Sequence, residues 1–390
     1  MQRIGIVTED YWRGGLARSM ITLVNHWPER KTEFIVFTNR ENTILKEYIH
    51  HPNVQYVYFD FKTVSSGMGE KRGLLEKIYR QTLFKYGFFI FRYFTLKRLF
   101  NRYRMDSWLI ASGGYPGSDL CRLALMVLKK KKAVFVFHSA VQKPLIPFYP
   151  LEYLLDRIIF TGSRCKIVTV SHANSRTVSQ RPWLGNLEIG IIHNGVADVE
   201  RKVNKTHSSD RKIVSMISTF PPYKGHEVII KAANRLKESG FDLQVRFYGT
   251  DFEILLRTVH ERIAASAHPE IFSMPGYEEV DRVMSDADLI VVPSLAHESF
   301  GYAAAEALCY GVPVIVSDIG GLPEIVGNCG LIRKAGDIKE WADAIKTALT
   351  DPELRETNIN RGMKRADTFS AKYMSLNYRT ILLDGTRHDH

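Results

Sequence analysis

No stretch of the chain approaches the roughly 18 uninterrupted apolar residues of a membrane-spanning helix, and Met1 to Glu9 lacks the apolar run of a secretory signal. Neither a spanning segment nor a signal peptide is expected. The four cysteines, Cys121, Cys165, Cys309 and Cys329, are scattered and form no C-x-x-C pair. They are expected to be buried free thiols in a reducing cytoplasm, and no metal site is read from them. Acid is scarce in the first half. Residues 1–200 hold 29 Lys and Arg against 16 Asp and Glu, a surplus of +13, whereas 201–390 hold 24 against 26, or −2. The formal charge of +11 therefore belongs to the first half and implies an anionic partner there, whether membrane surface, nucleic acid or polyanionic glycan.

The 390 residues allow two domains, and a 45% hydrophobic, 24% charged composition is that of a soluble globular protein. Short apolar runs at Arg3–Thr8, Glu33–Thr38, Val54–Phe59, Trp108–Ala111, Ala133–Phe137, Lys166–Val170 and Ile189–His193 alternate with helical patterns. That alternation predicts a doubly wound, mostly parallel α/β sheet. The turn signal His193-Asn194-Gly195-Val196 closes a first domain over 1–197, and the polar segment 198–211 reads as a linker. A second alternating unit over 212–369 has strands at Lys212–Ile217, Leu243–Tyr248, Ile271–Tyr277, Leu289–Val292, Val312–Val316 and Gly330–Arg333. An amphipathic segment at about 370–385 is expected to pack back on the first domain.

Several local patterns bear on chemistry. Gly14-Gly15 stands between a strand and a helix, where a missing side chain lets a phosphate or sugar approach the backbone; a plain tight turn fits equally. His138 ends a strand at the sheet edge where sites form, and a structural bond to a loop is its other reading. Lys224-Gly225 opens a helix after a loop, where a lysine opposes the dipole unless an anion is bound. The spacing is not that of a P-loop. Asp286-Ala287-Asp288 has the D-x-D form that some sugar transferases use for a metal, but its place between helix and strand reads as turn and capping chemistry. Residues 71–104 hold ten Lys/Arg, ten aromatics and one acid, Glu76. Such a helix suits an anionic bilayer surface, stacked bases, or an ordinary core-facing position.

The stretch His297–Glu324, HESFGYAAAEALCYGVPVIVSDIGGLPE, follows the buried run Leu289–Ser294. Glu298 and Glu306 are eight positions apart, so Glu298 precedes the helix from Tyr302 and Glu306 lies about two turns inside it. Phe300 and Gly301 place backbone amides at the helix N-terminus, which suits a phosphate. On spacing alone, Glu298 as an N-terminal helix carboxylate and Glu306 as a solvated helix residue fit as well.

Taken together, these motifs resemble those of the retaining glycosyltransferases of family 4. The residues E-S-F-G-Y-A-A-A-E at 298–306, then A-L-C-Y-G-V-P-V-I-V-S and G-G-L-P-E-I-V, are similar to that family's E-x7-E signature. Weaker likenesses are Gly14-Gly15, His138, I-I-H-N-G-V at 191–196, Lys224-Gly225 and A-D-L-I-V-V-P-S at 287–294. The resemblance implies a GT-B fold, two Rossmann-like domains with the active site in the cleft between them. It further implies transfer of a sugar, with retention, from a UDP- or GDP-linked donor to a saccharide hydroxyl. No resident cofactor and no metal are implied. By position, Glu298 contacts the donor sugar, His138 bonds a sugar hydroxyl and Lys224 neutralises the leaving diphosphate. Gly14, Gly15, Thr219, Ser299, Phe300 and Gly301 hold the donor, Glu306 its ribose, and Gly249 and Tyr277 border the base. The acceptor expected is a lipid-linked saccharide of cell-surface polysaccharide or glycolipid synthesis. The protein is then cytoplasmic, peripheral on the inner face of the plasma membrane through 71–104, with no nucleic acid partner.

One position departs from the family. Where an arginine usually pairs with the diphosphate, this chain has Ser218-Thr219. Lys224 with two helix N-termini, or another cation such as Arg13, then has to carry that charge. The competing readings are a nucleotide-sugar epimerase of the same fold and a non-catalytic glycan- or membrane-binding relative.

Overall fold

The structure, a computed structural model, describes residues 2–10, 14–59, 84–142, 149–197 and 211–384, with isolated positions 63, 73, 76 and 79. Arg13, most of 71–83 and the linker apart from Arg211 lie outside these residues. The chain divides into two compact units, Met1–Gly195 with Ala371–His390, and Val196–Ser370.

The first unit is built on seven parallel strands: β1 (Arg3–Glu9), β2 (Glu33–Asn39), β3 (Val54–Phe59), β4 (Ser107–Ser112), β5 (Ala133–Phe137), β6 (Lys166–Thr169) and β7 (Ile189–Ile191), in the order β3-β2-β1-β4-β5-β6-β7. The second has six: β8 (Lys212–Ile217), β9 (Leu243–Tyr248), β10 (Phe272–Gly276), β11 (Leu289–Val292), β12 (Val314–Ser317) and β13 (Leu331–Arg333), ordered β10-β9-β8-β11-β12-β13. Continuous apolar runs such as AVFVF in β5 and LIVV in β11 are buried on both faces, which is why the strands pair in parallel under two helical layers. Each sheet is therefore doubly wound, as the alternation predicts. Its order reverses beside β1 in one unit and beside β8 in the other. In open α/β sheets, ligands gather at the carboxyl ends of the strands at that reversal.

Each unit has its own core. In the first, Phe100 lies 4.7 Å from Trp108 and Phe37 5.4 Å from Trp108, ring centre to ring centre, joining the helix Lys85–Asn101 to β2 and β4. In the second, Trp341 and Ile345 of the helix Ile338–Thr350 pack with Ile229 and Leu236 of the helix His226–Glu238. The helix Ala371–Arg379 belongs to the first unit. Ser375 Oγ donates to the Leu23 carbonyl at 3.2 Å, and Arg379 pairs with Glu29. A Cβ on Gly195 would sit 2.6 Å from the Ala371 backbone, so that helix approaches as closely as glycine permits.

The helix Lys85–Asn101 divides the aromatic stretch of 71–104 between two faces. Phe88, Phe89, Leu96 and Phe100 are buried in the core, while Ile90, Phe91 and Phe94 point outward. Beneath it lies a feature that local sequence pattern does not reveal. Lys85, Arg122 and Arg181 are buried with Asp119, Glu152 and Asp156. Lys85 Nζ lies 2.7 Å from Glu152, Arg122 3.0 Å from Glu152 and 3.3 Å from Asp156, and Arg181 2.5 Å from Asp156. Tyr115 donates to Asp156, with the Arg122 and Arg181 guanidinia 5.0 and 5.1 Å from its ring centre. Three cations against three acids make the cluster neutral, which is what allows it to be buried.

Candidate active site

At the reversal of the second sheet, the loop after β8 meets the loop after β11. Leu295 N donates to the Tyr223 carbonyl at 2.7 Å, and a side chain on Gly225 would collide with the Pro293 carbonyl. This contact sets Lys224 against Glu298: the ammonium donates to Glu298 Oε2 at 2.6 Å, with both side chains about four-fifths buried. Ser294, buried at the end of β11, donates to the same oxygen at 3.3 Å. The backbone of Glu298 is fixed from the other side, where its carbonyl accepts from Gly321 N at 2.7 Å. A Cβ on Gly320 (φ 64°) would lie 2.6 Å from Glu298 N and closer still to its carbonyl oxygen. The first glycine of the G-G-L-P-E motif, Gly320, is thus required by the Glu298 turn.

Glu298 stands in this loop and is not an N-terminal carboxylate of the helix that follows. That helix, Tyr302–Tyr310, is preceded by Gly301 at φ 97°, a left-handed conformation that glycine adopts without strain, and has no side-chain cap and no acid in its first turn. By contrast, Asp337 and Asp351 cap the helices Ile338–Thr350 and Pro352–Ala366. Glu306 is 1% exposed within Tyr302–Tyr310 and so is not a solvated helix residue. Phe300 and Gly301 are buried as well.

The remaining residues sort by unit. Thr219 is exposed in the loop after β8. Its neighbour Phe220 donates its amide to Asp251 Oδ2 at 2.7 Å and stacks on His226 at 4.8 Å. Gly249 N donates to the Gly276 carbonyl at 2.8 Å, which brings Gly249 to the exposed Tyr277 at the ends of β9 and β10. Ser299 is half-buried between Glu298 and Phe300. Gly14, Gly15 and His138 belong to the first unit, the glycines at the start of the helix Gly15–Asn25 and His138 directly after β5. A Cβ on Gly14 would touch nothing, so the fold itself does not demand glycine there.

Burial holds two histidines neutral. Desolvation lowers His138 to about 4, against a bond to Asn194 that favours its charged form. Desolvation lowers His226 to about 4, with Lys224 and Arg262 adding repulsion. Ser294, Asp251, His226, Asn194 and Gly320-Gly321 escaped the sequence reading as site residues. Ser294, Asn194 and Gly320-Gly321 fall inside motifs that could have flagged them. The D-x-D pair is structural: Asp288 accepts from Ile213 N at 3.0 Å and meets Arg355, and Asp286 lies 3.5 Å from Arg246. The four cysteines are free, three buried and Cys165 half-buried.

Two doubly wound parallel α/β units with these sheet orders define the GT-B fold. Solved structures share it: a glycosyltransferase from Rickettsia africae superposes with a TM-score of 0.76 at 17% identity, covering 97% of each chain. Anabaena HepE in complex with UDP and glucose gives 0.70 at 17% identity, over 97% of this chain and 98% of that one. Residues 198–365 match the family model described as glycosyl transferases group 1. A D-inositol 3-phosphate glycosyltransferase of Corynebacterium glutamicum is 32% identical over 168 residues, 41% of this chain and 40% of that protein. An N-acetyl-alpha-D-glucosaminyl L-malate synthase of Bacillus anthracis is 26% identical over 321 residues, 70% and 81% of the two chains. The chain thus spans about two fifths of the inositol-phosphate relative's length.

Proposed function

We propose that this protein is a retaining glycosyltransferase of family 4. It moves a hexosyl group from a UDP- or GDP-linked sugar to a hydroxyl of a saccharide acceptor, lipid-linked, in cell-surface polysaccharide or glycolipid synthesis. The observation that carries this reading is the Lys224–Glu298 pair at the sheet reversal, beside the uncapped start of Tyr302–Tyr310. The family match over 198–365 covers the same residues.

In this reading the bond from the anomeric carbon to the diphosphate oxygen breaks, and the bond to the acceptor oxygen forms on the same face. The acceptor's proton passes to the departing phosphate. Lys224 and the amides of Phe300 and Gly301 take up the charge that develops on that phosphate, the part a metal plays elsewhere. Glu298 holds Lys224 and bonds the sugar, Ser294 steadies Glu298, and Glu306 accepts from the ribose; for His138 and Gly15 the donor roles rest on the family resemblance alone. Thr219 supplies no charge where the resemblance to family 4 leads one to expect an arginine, and this favours a second reading, a relative that binds without turnover.

Screening nucleotide sugars by thermal stabilisation identifies the donor, because a ligand of the native state raises its melting point. Lys224→Ala is expected to lower kcat about 100-fold or more, the scale of losing one transition-state charge partner. Transfer within a few-fold of wild type would sink the assignment of Lys224. Stabilisation by a nucleotide sugar without turnover on any acceptor would select the binding-only reading.

A further inference from the structure

The second unit holds a cavity of about 300 Å³, and neither Lys224 nor Glu298 lines it. It runs along one face of β9 and β10. Gln244, Arg246 and Tyr248 alternate along β9 and so share that face, and Pro275 joins them from β10. Glu278, Arg282 and Asp286 stand opposite at four-residue spacing, before and along the helix Val280–Asp286. The size is at the lower end of pockets that take small molecules.

Two observations point to a ligand and to its chemistry. Tyr248 lines the cavity and is only 5% exposed, yet its hydroxyl bonds nothing among the described residues. A buried phenol ordinarily finds a partner. The charges of the wall, by contrast, are already matched. Arg246 donates to Gln244 Oε1 at 3.1 Å and lies 3.5 Å from Asp286, and Arg282 lies 3.2 Å from Glu278. Two cations against two acids leave no net charge for an ionic ligand to meet. Each guanidinium and carboxylate still has more hydrogen-bonding positions than these contacts fill. Hydroxyl groups, which donate and accept at once, suit such a wall, while the Tyr248 ring and Pro275 offer apolar surface to C–H groups. We propose that this cavity binds a neutral polyhydroxylated ligand of about one or two sugar units, as a saccharide site separate from the donor site. The proposal rests on this wall alone and stands whether or not the chain transfers sugar.

The test is saturation-transfer NMR on the full chain with glucose, galactose, mannose, N-acetylglucosamine and lactose. At least one sugar is expected to bind, in roughly the millimolar range of so small a ligand, and inorganic phosphate is expected not to displace it. Tyr248→Phe keeps the ring and removes only the hydroxyl. It is expected to weaken that sugar about three- to ten-fold, the scale of one hydrogen bond, with the melting point kept. Arg246→Met is expected to weaken it by about ten-fold or more. Lys224→Ala and saturating UDP are expected to leave the signal as it is. No signal from any of the sugars, displacement by phosphate, or both cavity variants binding as wild type overturns the proposal. So does loss of the signal in Lys224→Ala or with UDP, because the sugar would then sit at the donor site. Failure of the glycosyltransferase reading shows differently, as no stabilisation by any nucleotide sugar with the saccharide signal intact.

Discussion

A carboxylate and an ammonium 74 positions apart in the chain make the contact on which the site turns, and glycines hold it in place. Gly320 sits at φ 64° with the Glu298 backbone where its side chain would be. Gly320→Ala is expected to cost about 2 kcal/mol or more, from the left-handed conformation and the collision together. Denaturant unfolding measures it, and a loss under about 0.5 kcal/mol, the level of an ordinary surface change, would show that the Glu298 turn is not locked. The two buried histidines set an acid limit. Each falls from 6.5 to about 4 in the folded chain, so between these values the unfolded chain binds the extra proton. Stability is full above pH 6.5, falls as pH drops towards 4, and levels off below, each histidine losing on the order of 3 kcal/mol. His226→Gln is expected to flatten that dependence in urea titrations at pH 7 and pH 4.5; an unchanged slope would contradict it.

At the scale of elements, the helix Lys85–Asn101 is tied down by charge at its start and by rings along its inner face. Its composition shows both but not their arrangement. Ten aromatics and ten cations in 71–104 suggest one apolar and one basic side, whereas the described helix buries Phe88, Phe89 and Phe100 and exposes Phe91 and Phe94. Arg122 is the hub of the cluster below, between Glu152 and Asp156. Arg122→Ala is expected to destabilise by about 3–5 kcal/mol, because it leaves three buried acids with two cations. A loss of less than about 1 kcal/mol would mean that the cluster relaxes into solvent.

At the scale of the whole molecule, two cores are joined at Gly195–Val196 and at Ser370–Ala371. Units with separate cores unfold with their own stabilities. Calorimetry of the variants is the readout: Arg122→Ala should lower one transition and Gly320→Ala the other. If both variants shift a single transition equally, the units are coupled more tightly than their cores require.

The sequence by itself determined the strands almost to the residue, since buried parallel strands are continuous apolar runs between turn signals and the pattern is local: Val54–Phe59, Ala133–Phe137, Lys212–Ile217, Leu243–Tyr248 and Leu289–Val292 all stand where the runs lie. It also singled out Glu298, Glu306 and Lys224 as candidates, through motif and through helix starts. What only the tertiary structure decided is which groups meet. The pairing of Lys224 with Glu298, the seat of Ser294, the burial of Glu306 and the retreat of Asp119, Glu152 and Asp156 from the surface all depend on elements far apart in the chain. A local pattern gives the period of an element and the direction of its faces. It cannot say which distant side chain will share a low-dielectric interior with it, and there a charge persists only beside its partner.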